Sequence, residues 1–328
     1  MLRKKRELVM SKYRHNLPQM SNRLFLTDGG LETTLIFHQG FNLPHFAAFD
    51  LLKDAFGYRA LVNYFLSYAR LAQKYRLGLI LESPTWRASQ GWGTKLGYTD
   101  KDIVAFNHLA IALLEDIRYE YNSVSTPVVI SGCIGSRGDG YNPTELMNTL
   151  EAEDYHASQI STFARTSVDL VTAMTMTYIE EAIGICYAAQ KVDLPVVISF
   201  TVETDGKLPT GESLAEAIER VDLATDNAPL YYGINCAHPL HFARIFGDRG
   251  SWINRIQTIR ANASIKSHAE LDAAEALDAG DPAELGIQYQ KLKTLLPKLN
   301  ILGGCCGTDI RHVEQICKST LSLFSANK

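Results

Sequence analysis

The chain has 328 residues, 46% hydrophobic and 21% charged, with 32 basic against 36 acidic side chains and a formal net charge of −4. That length supports one large core, and the charge balance argues against a nucleic-acid or anionic-membrane partner, which would need clustered positive charge. No apolar run reaches the ~20 residues of a membrane span, and six cysteines are too few to scaffold so long a chain with disulfides.

The start, MLRKKRELVM, is basic, but no apolar run follows it as a signal peptide requires. Residues 1–22 are read as an N-terminal extension, with Met10 a second candidate start, and the protein is read as cytoplasmic with reduced thiols. Short apolar, β-branched runs then recur: 23–30, 78–85, 127–135, 169–176, 195–202, 230–237, 255–263 and 299–307. Helix-like segments lie between them at 101–122, 151–167, 178–191, 212–226 and 284–296, and the longest irregular stretches are 30–57 and 262–284. Continuous apolar strands are buried on both faces, as in parallel sheets clothed by helices. Eight such units predict an α/β fold of the (β/α)8 TIM-barrel type in a single domain, 23–328. A doubly wound sheet is the competing topology.

In a (β/α)8 barrel, chemistry gathers at the C-terminal ends of the strands. Those positions are Asp28, Gly29 and Gly30 after strand 1, then Glu82, Ser83 and Thr85 after strand 2. Strand 3 offers Cys133 and the turn from Gly135 to Gly140, strand 4 Thr175 and Thr177, and strand 5 Thr201 and Glu203. Strand 6 offers Asn235, Cys236 and His238, and strand 8 offers Cys305 and Cys306. Three thiols therefore converge on one mouth. Adjacent cysteines make an awkward disulfide, but a strand that breaks at Cys305 turns both sulfurs toward one point, with the glycines of GGCCGT (303–308) permitting the backbone angles. Zn²⁺ suits that arrangement, because a catalytic zinc takes three protein ligands and leaves a fourth position for substrate. The alternative, cysteines serving as small buried hydrophobes, is accepted for Cys133, Cys186 and Cys317.

DGGLETTL (28–35), ESPTWRAS (82–89), GCIGSRGDGY (132–141), GINC (233–236) and GGCCGT (303–308) occur in the order seen in the homocysteine S-methyltransferases, which the chain resembles from about residue 23 to 320. The resemblance implies a zinc barrel with Cys236, Cys305 and Cys306 as metal ligands and homocysteine as the thiol that is methylated. It implies a small S-methyl donor, S-methylmethionine or S-adenosylmethionine, ahead of betaine. It also implies that Asp28 and Gly29 help to hold the amino-acid end of the substrate, and that Asn235 orients the loop beside Cys236.

Two departures stand out. Met174 occupies the place, just before Thr175, where the family carries a Glu that takes the homocysteine ammonium. Another acid then serves, Glu32, Glu82 or Glu203, or the acceptor is a different thiol or selenol. The stretch after strand 7 is also longer than the family's and carries His268, Glu270 and Asp272; it is read either as a lid over the donor pocket or as a solvated acidic helix. Trp86 and Trp92 are candidates for a box around a methylated cation, and His238 for a resting fourth metal ligand, each against the plainer reading of packing. A non-catalytic zinc or redox sensor using Cys305 and Cys306 is the rival from another class, and an oligomer is compatible with the sequence.

Overall fold

The computed structural model describes residues 11–248 and 250–325; residues 1–10, with both candidate start methionines, lie outside the described residues. Eight parallel strands close into a barrel in sequence order, β8 pairing back onto β1. They are β1 (Phe25–Leu26), β2 (Gly78–Glu82), β3 (Val128–Gly135), β4 (Leu170–Met176), β5 (Val196–Phe200), β6 (Pro229–Asn235), β7 (Ile256–Ala261) and β8 (Ile301–Gly304). Around them run α1 (Ala55–Tyr75), α2 (Asp100–Tyr121), α3 (Thr149–Ala164), α4 (Ile179–Gln190), α5 (Leu214–Thr225), the short α6 (Pro239–Phe242), α7 (Pro282–Leu295) and α8 (Ile310–Thr320). The closed order removes the doubly wound alternative.

Local signals fix the helix starts. The Asp54 carboxylate accepts from the backbone of Phe56 and Gly57 at the head of α1. Reciprocal side-chain caps, Thr99 with Asp102 and Asn148 with Glu151, open α2 and α3. Each strand is shorter than the apolar run that announced it. β1 is the extreme case: the chain leaves the ladder after Leu26, and Asp28 instead accepts from the Gly304 amide at 2.9 Å.

The larger core fills the space between helices and the outer faces of the strands. A second apolar layer plugs the barrel floor, where Phe25, Ile80, Val129, Leu170, Val197, Tyr231 and Ile301 meet Leu17 from the N-terminal segment. That segment is tied down by polar contacts: the Tyr13 amide donates to Asp169 at 2.7 Å, and the Asn300 side chain donates to the carbonyls of Gln19, Ser21 and Arg23. Above the apolar plug the interior turns polar, with Glu82, Ser131, Thr172, Ser199 and Arg260 buried. Burying such groups is costly unless they are paired, so this upper layer marks the functional end of the barrel. Among the described residues, no helix is long and apolar enough to cross a membrane.

Candidate active site at the barrel mouth

The thiols come together as the strand ends dictate. β6 ends at Asn235, and Cys236 takes a left-handed backbone, φ 56°, that swings its sulfur inward. β8 ends at Gly304, and Cys305 and Cys306 begin the turn beyond it. The three sulfurs lie within 4.8 Å of one another. Cys236 and Cys305 are paired as a disulfide, with Cα atoms 5.4 Å apart, while Cys306 is free. The glycines before the cysteines are steric necessities. A Cβ on Gly303 would fall 1.8 Å from Thr27 Oγ1, and one on Gly304 would fall 2.0 Å from Thr308 Oγ1. Cys133, Cys186 and Cys317 are buried, the last two within α4 and α8.

The donor set fits zinc. Zn–S bonds of about 2.3 Å put the sulfurs of a tetrahedral site roughly 3.8 Å apart; the cluster spans no more than 4.8 Å, and opening the Cys236–Cys305 pair would free all three sulfurs for such a site. Hydroxyl donors stand at its edge: Tyr141 lies 3.6 Å from the Cys306 sulfur and Thr175 lies 3.9 Å from that of Cys236. Asn235 shapes this corner. Its Oδ1 accepts from the Thr175 amide at 2.9 Å and from Ser199 at 2.6 Å, and its Nδ2 donates to Thr175 Oγ1 at 2.7 Å. His238 caps α6, its Nδ1 accepting from the Leu240 amide at 3.3 Å, and burial beside His241 lowers it to about 4; it stands apart from the sulfur cluster.

The sulfurs open into a cavity of about 320 Å³, a size typical of small-ligand sites. Asp28, Gly29, Glu32, Glu82, Thr175 and Asn235 all border it, as does Met174 at the end of β4. Glu203 does not: its carboxylate turns to His268 Nδ1 at 2.9 Å. Glu181 does not reach it either, being bonded to the Arg137 amide and His156. Burial pushes both Glu32 and Glu82 up to about 7. Asp28 touches the cavity, but its carboxylate is engaged on two sides, by Arg260 Nη1 at 2.7 Å and by the Tyr64 hydroxyl at 3.0 Å.

Two buried guanidiniums, missed in the sequence, complete the wall. Arg260 donates through Nε to the Gly304 carbonyl and through Nη2 to that of Gly29, besides meeting Asp28. Arg87 lies between Trp86 and Trp92, 3.8 Å from each ring centroid. This corrects the reading of the two tryptophans as a box for a methylated cation, because their facing surfaces hold Arg87 instead. The signal was present in both places: a charge inside an otherwise apolar strand, and an arginine flanked by tryptophans.

The long segment after β7 contributes to the cavity wall, while Ala269 and Glu270 on its helical turn face solvent. Leu271 and Asp272 of its one helical turn, His268–Asp272, line the cavity, as do Ala274, Ala276, Leu277 and Asp278 beyond it. His268 stacks on Tyr141 from the loop after β3, ring centroids 3.9 Å apart and 10° from parallel, and its Nε2 lies 2.7 Å from the Cys236 carbonyl oxygen.

Comparison with known proteins agrees with this architecture. A family model described as homocysteine S-methyltransferase matches residues 25–320. A curated relative, homocysteine S-methyltransferase 3 of Arabidopsis thaliana, is 22% identical over 215 residues; the match covers 62% of this chain and 60% of that relative's length. The homocysteine methyltransferase MmuM of Escherichia coli is similar in fold. Its oxidized form superimposes with a TM-score of 0.73 at 16% identity, over 92% of this chain and 97% of that one. Its metallated form gives 0.72 at 15% identity, over 92% and 98%.

Proposed function

The chain belongs to the homocysteine S-methyltransferase family, and from that premise we propose that it transfers a methyl group from a small S-methyl sulfonium donor, S-methylmethionine or S-adenosylmethionine, to the sulfur of homocysteine, giving methionine. Cys236, Cys305 and Cys306, in their reduced form, are the residues that would hold zinc. Bound there, zinc would bring the acceptor thiol to its thiolate and orient it. The acceptor sulfur gives up its proton and attacks the donor methyl from behind. A carbon–sulfur bond forms as the sulfonium carbon–sulfur bond breaks, and the donor leaves as a neutral thioether.

The observation that carries this reading is the meeting of three sulfurs at one side of a cavity rich in carboxylates. Glu32, Glu82, Asp139, Asp272 and Asp278 border it with Asp28, against only Arg87 and Arg260. An anionic wall favours a cationic donor and the acceptor's ammonium. Glu32 and Glu82 supply that ammonium site in place of Met174. Asn235 and Thr175 act on the geometry of Cys236, and Asp28 with Gly29 acts through Arg260. A cytoplasmic setting, which keeps thiols reduced, belongs to the same proposal.

The test is methionine formation from homocysteine by reduced, zinc-loaded protein with each donor in turn. Turnover with either sulfonium supports the reading, and zinc-loaded protein inert with both overturns it. Met174 favours a second reading, in which the acceptor is another thiol or selenol without an ammonium; activity on simple alkyl thiols exceeding that on homocysteine would establish it.

A further inference from the structure

We propose that Arg87 forms a carboxylate-binding subsite in the wall of the cavity, paired with Glu32 as the counter-site for an ammonium, so that the cavity grips an α-amino acid by both ends of its zwitterion. The inference rests on the reading of the cavity as a site for amino-acid substrates and names the residues that select them.

The argument starts from the two arginines. Arg260 is held on every side: Nε donates to Gly304 at 3.1 Å, Nη2 donates to Gly29 at 3.2 Å, and Nη1, though without a well-directed hydrogen bond, forms an ion pair with the Asp28 carboxylate at 2.7 Å. Arg87 is not. Its Nη1 donates to the carbonyls of Ser136 at 3.3 Å and Gly138 at 3.0 Å. Nε is buried and has no hydrogen-bond partner among the described residues, and none is found for Nη2. Nε and Nη2 form one edge of the guanidinium, with two parallel N–H bonds at the spacing of a carboxylate's oxygens. The residue is only 5% exposed, and a buried N–H left without a partner costs free energy.

The ring faces of Arg87 are closed by Trp86 and Trp92 at 3.8 Å each. Stacking holds the guanidinium flat and leaves its edges for hydrogen bonding. Burial lowers it to about 10, so it stays charged at neutral pH.

Glu32 supplies the opposite charge. It borders the same cavity, lies within electrostatic range of Arg87 and of Cys306, and its carboxylate has no side-chain partner among the described residues. A carboxyl beside the sulfurs, which a bound ammonium would hold in its charged form, and an unpartnered guanidinium edge on the same wall match the ammonium and carboxylate of one amino acid. Both the acceptor homocysteine and a donor such as S-methylmethionine carry that pair, so the shared chemistry is the α-carboxylate, and the experiment separates the two sources.

The experiment is calorimetric binding to the reduced, zinc-loaded full chain, wild type and Arg87→Gln. The four ligands are homocysteine, S-methylmethionine and their decarboxylated counterparts, 3-aminopropanethiol and 3-aminopropyl dimethylsulfonium. Wild type should prefer one carboxylated ligand over its counterpart by about 10- to 100-fold, the effect of a charge-assisted hydrogen-bonded pair. R87Q should erase that preference for the same ligand, which identifies whether acceptor or donor docks there. Arg87 also ties down Ser136 and Gly138, but a purely structural role would weaken carboxylated and decarboxylated ligands alike. A preference that survives intact in R87Q, or that wild type lacks for both ligands, overturns the proposal. If R87Q does not fold, Arg87→Lys serves: it keeps the charge without the fork and should narrow the preference, and an unchanged gap again overturns the subsite. Wild type that binds neither homocysteine nor S-methylmethionine would instead bring down the functional reading beneath it.

Discussion

Asn235 holds Thr175 by two hydrogen bonds, accepting from its amide at 2.9 Å and donating to its hydroxyl at 2.7 Å. Thr175 has φ 61° and Cys236, the residue after Asn235, has φ 56°. Left-handed backbone is unfavourable for residues with a side chain, most of all a β-branched one. One buried amide thus stabilises two strained strand ends, and one of them carries a sulfur of the proposed metal site.

Replacing Asn235 by Ala should release that strain in the wrong direction. The Thr175 amide and the Ser199 hydroxyl lose their acceptor, at a cost of about 1–3 kcal/mol. Zinc affinity should fall by about 10- to 100-fold, as when a residue orienting a ligand is removed. Urea denaturation and chelator competition measure the two effects. Zinc affinity unchanged in a folded N235A protein would separate Asn235 from the sulfur cluster.

The Asp28–Arg260 pair ties the ends of β1, β7 and β8 together. Arg260→Met leaves the Asp28 carboxylate buried opposite no charge, and breaking such a pair costs about 3–5 kcal/mol. Arg260→Met combined with Asp28→Asn should recover part of that stability without recovering substrate binding. A single R260M variant as stable as wild type in urea would show that the pair contributes nothing net.

Zinc retention distinguishes the cysteines. Cys306→Ser should leave reduced, dialysed protein with little bound metal, because two thiolates do not make a closed tripod, whereas Cys317→Ala, within α8, should keep full zinc despite some loss of stability. Elemental analysis reads both, and normal zinc in C306S refutes the assignment. A pure redox sensor would instead release metal reversibly on mild oxidation while showing no methyl transfer.

Stability should fall with pH across a defined window. Burial raises Glu82 from 4.5 to about 7, so between those values the folded chain keeps a proton that the unfolded chain has lost. The stabilisation is complete below about 4.5 and is lost as pH rises through about 7, on the order of 3 kcal/mol at most. Glu82→Gln cannot titrate, so the stability difference between E82Q and wild type should change between pH 5 and pH 8. A constant difference would mean that Glu82 is ionised throughout.

Much of this was legible in the sequence because barrels bring strand ends to one face: once eight apolar runs were placed, Cys236, Cys305 and Cys306 had to meet. Strand limits were overestimated by up to a few residues, most at β1, where Thr27 to Gly30 turn off to pack on β8. What stayed hidden depends on loop geometry rather than on period. The Arg87 sandwich needs the turn after β2 to fold Trp86 and Trp92 onto one side chain, and no spacing rule gives that. Nor does sequence show that Glu203, at a strand end like the others, faces His268 and not the cavity.

The stack of Tyr141 on His268 joins the loops after β3 and β7 over the sulfur cluster. Tyr141 contributes in two separable ways, a ring face to His268 and a hydroxyl toward the Cys306 sulfur. Tyr141→Phe keeps the first and removes the second, and Tyr141→Ala removes both. If the stack closes the cavity, Y141A should raise KM several-fold for homocysteine and donor together, since a ring pair is worth about 0.5–1.5 kcal/mol beyond its buried area. Y141F should keep those KM values and lower kcat alone, because the hydroxyl meets the Cys306 sulfur and Asn262 and takes no part in the stack. Steady-state kinetics on the two variants settle it: equal KM increases in Y141F and Y141A would place the effect in the hydroxyl and leave the stack with no part in closing the site.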